Sequence, residues 1–286
     1  GYATDHLNYE HIDDLLEKSV NFGQIIGIHS KLIKISDRLV KILTSDKIAD
    51  TSYLTVSVDG GDDKSYNLAH SLSEKVKVYN RVIENIKKLS DVAANNKNKL
   101  DISANYLVTK VNCSKEEVFT GIENLINAGV HSIRFSFPQL PRGIDSYEGT
   151  IIPNKGEVKK IFEDIKPVID EFKNNKTEVI LIDYDAEKKI TEARTMPCFS
   201  RFIYPAISYD GFLSNCSQSA ATHFRNMALG NLQTTDFWDA FYDYDEKNIF
   251  EFMKNEYKKM KKNDCRCDRK EHTINQILKE EIGDRF

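Results

Sequence analysis

Apolar positions along the first two thirds of the chain switch repeatedly between a helical period of about 3.6 and a strand period of two. Ile12, Leu15, Leu16 and Val20 fall on one side of a helix predicted over 10–22, which Gly23 ends. An apolar strand is expected over 24–30, then a second helix carrying Leu39, Val40, Ile42 and Leu43. A strand over 53–59 stops at Gly60 and Gly61, and a long helix over 73–91 sets Val76, Ile83 and Ile86 on one stripe. The polar run 95–98 reads as a loop, and a strand over 102–111 follows it. Ser114 then opens a helix, with Glu117 three places on as its capping box and Val118, Ile122, Leu125 and Ile126 as its buried side. After a strand over 132–137, the clearest helical stripe of the chain is Val158, Ile161, Phe162, Ile165, Val168, Ile169 and Phe172. A strand over 178–183 closes the series. Strands and helices in alternation imply an α/β fold with a parallel sheet. Five strands are too few for a closed eight-stranded barrel.

Parity within these strands predicts one dry and one wet face. Leu54, Val56 and Val58 oppose Thr55, Ser57 and Asp59, and Ile133, Phe135 and Phe137 oppose Ser132, Arg134 and Ser136. Asn105 and Thr109 share a side of their strand. If helices cover the apolar set, the polar set lines an inner surface. Leaving such groups bare would cost about 1–3 kcal/mol each. A polar ligand at the carboxyl ends of the strands would satisfy them; the other reading is a sheet with one solvated face.

Past residue 185 the pattern changes. A hairpin is expected from 201–208 and 212–215 around Asp210 and Gly211, followed by three short helices near 236–242, 249–261 and 274–282. Four of the five cysteines lie here: Cys198, Cys216, Cys265 and Cys267. Four thiolates complete one iron–sulfur or zinc site; disulfides or inert buried thiols are the plainer readings. Cys265 and Cys267 fall in a segment rich in lysine and aspartate, which is poor core material. His223 and His272 stand near the cysteines as substitute ligands. Cys113, the fifth, precedes a helix start, where a thiol can be activated; with no base nearby it reads as structural.

The chain has 286 residues, 40% hydrophobic and 29% charged, so composition singles out no special class and allows one large domain, or a large one plus a small one. A net charge of −4 gives no electrostatic case for nucleic acid. No apolar run approaches a membrane span and no signal peptide opens the chain, so no membrane partner is expected. Few cysteines in an odd number favour a reducing cytoplasm over a secreted disulfide scaffold.

Several segments resemble the radical S-adenosylmethionine enzymes. Residues 53–61, Tyr66 and the helix ending at 83–89 are similar to that family's fourth strand and helix, and 105–112 to its fifth strand. Cys198, the hairpin with Gly211 five places before Cys216, the run 205–211 inside it and Leu229-Gly230-Asn231-Leu232 beyond it resemble the auxiliary-cluster extension called SPASM or twitch. The resemblance implies a partial (β/α)6 TIM-like barrel over 1–190 and a small Cys-rich twitch- or SPASM-like domain over 191–286. It implies one auxiliary 4Fe–4S cluster on Cys198, Cys216, Cys265 and Cys267. It also implies bound S-adenosylmethionine, whose cleavage to a 5′-deoxyadenosyl radical starts modification of a peptide, protein or other small-molecule substrate. An external electron donor such as flavodoxin or ferredoxin comes with that chemistry. Ser57 and Asn105 match strand positions that touch the sulfonium cofactor, and Arg134 faces the same lumen, as a partner for its carboxylate, for an acidic substrate, or for Asp59 or Asp183.

The family's Cys-x3-Cys-x2-Cys loop, which holds a second, cofactor-binding cluster, is absent from these residues. Its place is expected upstream of Gly1, so the barrel is expected to be incomplete at its N-terminus. His29-Ser30-Lys31 and His70 depart from the family's usual Thr-Asn-Gly and arginine. The alternative from another class is a non-catalytic, degenerate barrel whose cysteines hold structural zinc or iron–sulfur and which binds a peptide.

Overall fold

In a computed structural model of the chain, the structure describes residues 5–138, 149–173, 175–182, 198–220, 222–243, 248–263, 265 and 269–282. Five parallel strands form one sheet in sequential order: β1 Gly27–Ser30, β2 Tyr53–Ser57, β3 Asp101–Leu107, β4 Ser132–Ser136 and β5 Glu178–Leu181. Sequential order is what a singly wound barrel segment requires, because every crossover helix returns on the same side. Leu54, Val56, Ile102, Ala104, Ile133 and Phe135 are all fully buried on the helix side. They join one core with Val82, Ile86 and Leu89, Val118, Ile122 and Leu125, and Ile165 and Ile169. Covering each Leu or Ile in this way contributes roughly 1.5–3 kcal/mol.

The helices are α1 Ile12–Asn21, α2 Asp37–Leu43, α3 Asp63–Ala69, α4 Tyr79–Asn95, α5 Lys115–Asn127 and α6 Lys155–Glu171. The expected helix over 73–91 is corrected at its start. Val76 stands outside any helix and is exposed. A short helix not foreseen, α3, precedes it, and the chain between is tied down instead of wound. The Asn67 amide donates to the carbonyls of Ser73 (3.2 Å) and Val76 (2.7 Å), and Asp63 Oδ1 accepts from the Tyr79 N–H at 2.9 Å, where α4 begins. Leu15 also leaves its expected stripe and is exposed.

Two compact units divide the chain, Gly1–Tyr184 and Asp185–Phe286. The second carries a three-stranded antiparallel sheet of β6 Ala206–Ile207, β7 Phe212–Ser214 and β8 Gly230–Asn231. The expected hairpin is β6–β7, turning at Gly211 with φ of +81°, a conformation glycine adopts without strain. β8 was invisible to the periodicity because it is two residues long. Helices α7 Phe237–Phe241, α8 Ile249–Lys262 and α9 Arg269–Ile282 follow. No helix among the described residues is long and apolar enough to cross a membrane.

Candidate functional site

Strand register sets the site. Ser57 pairs with Asn105 and Asn105 with Arg134, so the three residues expected to face a cofactor form one row across β2, β3 and β4. The row before it is His29, Thr55, Ser103, Ser132 and Glu178. A parallel sheet covered on both faces would carry aliphatics at these places; here they are polar, and Thr55 Oγ1 and Ser103 Oγ share a hydrogen bond at 3.0 Å. Arg134 is exposed and has no ion pair among the described residues. An Arg134–Asp59 pair does not form. Asp59 Oδ1 accepts from the Leu107 N–H at 2.7 Å, and its Oδ2 lies 3.2 Å from His70 Nε2. Asp183 lies outside the described residues.

The carboxyl ends of β2 and β3 are held by residues to which the sequence reading assigned no role. Asn112 is fully buried; its amide donates at 3.0 Å to both Asp59 O and Leu107 O, and its Oδ1 accepts from the Thr109 N–H at 2.6 Å. Tyr106 donates its hydroxyl to Asn112 O at 2.7 Å. The expected capping box of α5 is half right. Ser114 Oγ accepts from the Glu117 N–H at 3.2 Å, but the Glu117 carboxylate bonds the Gly61 N–H and the Ser65 hydroxyl instead of returning to Ser114. That long-range bond fixes the Gly60-Gly61 turn just after β2. A β-carbon on Gly61 would meet the Glu117 carbonyl oxygen at 2.5 Å, so the turn and α5 can approach only without a side chain.

Beside this turn, the Tyr66 ring packs at 4.3 Å against His70. The Tyr66 hydroxyl is buried without a hydrogen-bond partner among the described residues, and its ionisation is pushed up, first by burial and then by Asp59 and Asp5. Asp5 accepts from Ser30 Oγ at 2.8 Å at the end of β1. Polar groups thus gather at the carboxyl edge, where parallel sheets bind ligands. A cleft of about 350 Å³ bordered by Lys41, Thr44, Asp46 and Asn96 lies at the C-terminal ends of α2 and α4. That is the opposite end of the sheet, where side chains serve stability.

In the second unit Cys198, Cys216 and Cys265 are all buried and unbridged. Cys198 and Cys265 share one buried cluster with Met227 and Met260, against which Phe224 packs. Cys216 lies in a turn after β7: its N–H donates to Ser219 Oγ at 3.1 Å, and that hydroxyl donates back to Cys216 O at 3.0 Å. Among the described residues no three His, Cys, Asp or Glu side chains converge on a single ion. Cys267 and the His223 side chain lie outside the described residues. Burial raises the pKa of the Cys113 thiol, which disfavours a nucleophile there.

The sheet's order and helices match solved structures of SuiB from Streptococcus suis. Against its crystal structure the TM-score is 0.54 at 18% identity, over 82% of this chain and 53% of that one. The form bound to S-adenosylmethionine gives 0.54 at 17% identity over 86% and 54%, and the form bound to precursor peptide SuiA gives 0.53 at 19% over 82% and 52%. This chain shares the SuiB fold. The likeness is one of fold, and it agrees with the partial barrel that the resemblance of residues 53–61 and 105–112 implies. The chain spans about half the length of the SuiB structures it matches. No protein-family model matches the chain, and no curated protein does.

Proposed function

We propose that this chain is part of a radical S-adenosylmethionine enzyme that modifies a peptide or protein, with one auxiliary 4Fe–4S cluster in its second unit. The observation that carries the reading is the polar row Ser57, Asn105 and Arg134, set across three adjacent strands of a SuiB-like sheet. SuiB has been solved with S-adenosylmethionine and with a precursor peptide, which makes both the ligands of choice here. The cofactor, reduced at an iron–sulfur cluster, supplies a radical that removes a hydrogen atom from the substrate.

The chain's own residues bind and orient. Arg134 meets a carboxylate with a charge-assisted bond, and Ser57 and Asn105 offer hydroxyl and amide groups in the same row. Asn112 and Glu117 hold the strand ends and the Gly60-Gly61 turn rigid behind them. In the tail the donor types fit an iron–sulfur group: three buried thiols, two of which have within two sequence places a buried polar side chain with no partner among the described residues. Cys198, Cys216, Cys265 and Cys267 are the proposed ligands, and a flavodoxin or ferredoxin the proposed electron donor. A cytoplasmic setting suits both.

The test uses the complete gene product, reconstituted anaerobically with iron and sulfide and reduced with dithionite. It is expected to convert S-adenosylmethionine to 5′-deoxyadenosine, read by chromatography. Absence of cleavage with clusters loaded rejects the enzyme and favours the peptide-binding module, a reading that the lack of a Cys-x3-Cys-x2-Cys in these residues keeps open.

A further inference from the structure

Among the described residues of the second unit, three side chains within two sequence places of a cysteine bury polar atoms that have no partner. Asn215, next to Cys216, is 1% exposed, yet neither its Nδ2 nor its Oδ1 has a partner among the described residues. Ser214 Oγ, one place further back, and Ser200 Oγ, two places after Cys198, are buried and unpaired in the same way. A carboxamide taken out of water without partners costs roughly 1–3 kcal/mol. Such a group persists where something absent from the polypeptide satisfies it. Cys216 itself makes no demand on it, because its N–H is already taken by Ser219.

We infer that the Asn215 side-chain amide donates a hydrogen bond to a sulfur of the iron–sulfur group held beside it at Cys216, and thereby sets that group's reduction potential. The inference rests on the reading of the tail as a cluster site. Reduction adds negative charge to the sulfurs, and an N–H aimed at one stabilises the reduced form most, so the donor raises the potential. Asn215 acts through the cluster and is a positioning residue. The competing occupant is a buried water bonded to the same amide, which would leave the potential alone.

The experiment uses this full chain, in which the only grouped cysteines are those of the tail, loaded anaerobically with ferrous iron and sulfide. Midpoint potentials of wild type, Asn215→Leu and Asn215→Gln are read by titration followed by electron paramagnetic resonance, with iron content and circular dichroism as loading and folding controls. Asn215→Leu is expected to load normally and to shift its midpoint negative by about 59 mV, a tenfold change in the one-electron equilibrium. Asn215→Gln, which keeps the donor, is expected to lie between it and wild type. Equal midpoints in wild type and Asn215→Leu overturn the inference and leave the cluster reading standing. Failure of the wild type to take up iron and sulfide overturns both. Should Asn215→Leu not fold, Asn215→Ser, which has no amide, carries the same comparison.

Discussion

The role proposed for Arg134 rests on a single side chain's surroundings. Arg134 is exposed on the polar side of β4, with no ion pair among the described residues, while the Asp59 carboxylate accepts from the Leu107 N–H and lies 3.2 Å from His70 Nε2. Charge-assisted bonds contribute about 1.5–3 kcal/mol, so Arg134→Leu is expected to weaken S-adenosylmethionine binding roughly ten- to a hundredfold. Stability should change by no more than about 0.5 kcal/mol, because the side chain is not packed. Calorimetric titration of the loaded protein checks the first and urea denaturation the second; unchanged affinity removes Arg134 from the cofactor site. Tyr79 illustrates the opposite case. Burial pushes its phenol up to about 12, against the hydrogen bond from Asn124, which lowers it. The folded value exceeds the unfolded one of about 10. Stability from the neutral phenol is therefore complete below pH 10 and is lost as pH climbs towards 12. Melting temperatures measured between pH 8 and pH 12 should fall only above about 10, and Tyr79→Phe should blunt that fall.

Among the elements, α5 does more than cover the sheet. Its Glu117 reaches out of the helix to the turn that follows β2, so one carboxylate links two βα units. Removing it leaves the Gly61 N–H and Ser65 without that acceptor. Glu117→Ala is expected to lower the stability of the first unit by about 1–3 kcal/mol. Glu117→Asp, too short to reach, should lose nearly as much in the same urea titration. Gly61→Ala meets the Glu117 carbonyl at 2.5 Å and should cost a similar amount by overpacking. The Ser114–Glu117 spacing pointed correctly to a helix start, since N-cap chemistry is local. It pointed wrongly to where the glutamate goes, since a stronger acceptor demand came from a turn more than fifty residues away. The reciprocal capping boxes sit elsewhere, at Asp62 with Ser65 and at Asn154 with Glu157.

The two units should differ in what holds them together. The first has an extensive apolar core built from all five strands. Among the described residues the second packs Cys198, Met227, Met260 and Cys265 in one small cluster, which a metal held by those thiols would staple. Two calorimetric transitions are expected from the loaded protein. Stripping iron, or replacing Cys198 or Cys265 with serine, should lower one transition and leave the other in place. A single transition that ignores iron content would rule out a metal staple.

Strand parity and the helical stripes were legible along the chain, because each depends on neighbours within a few residues. They were enough to predict the five parallel strands and their wet face. The sequence also singled out Ser57, Asn105 and Arg134 one by one. That they form a single row depends on inter-strand register, which pairing across dozens of residues determines and no local period encodes. The same is true of Asn112 bridging two strand ends, of Cys198 meeting Cys265 in one buried cluster, and of the Asn215 amide, unpaired among the described residues. Whether a buried polar group has a partner is a property of the packed interior, where distant segments compete for each donor and acceptor.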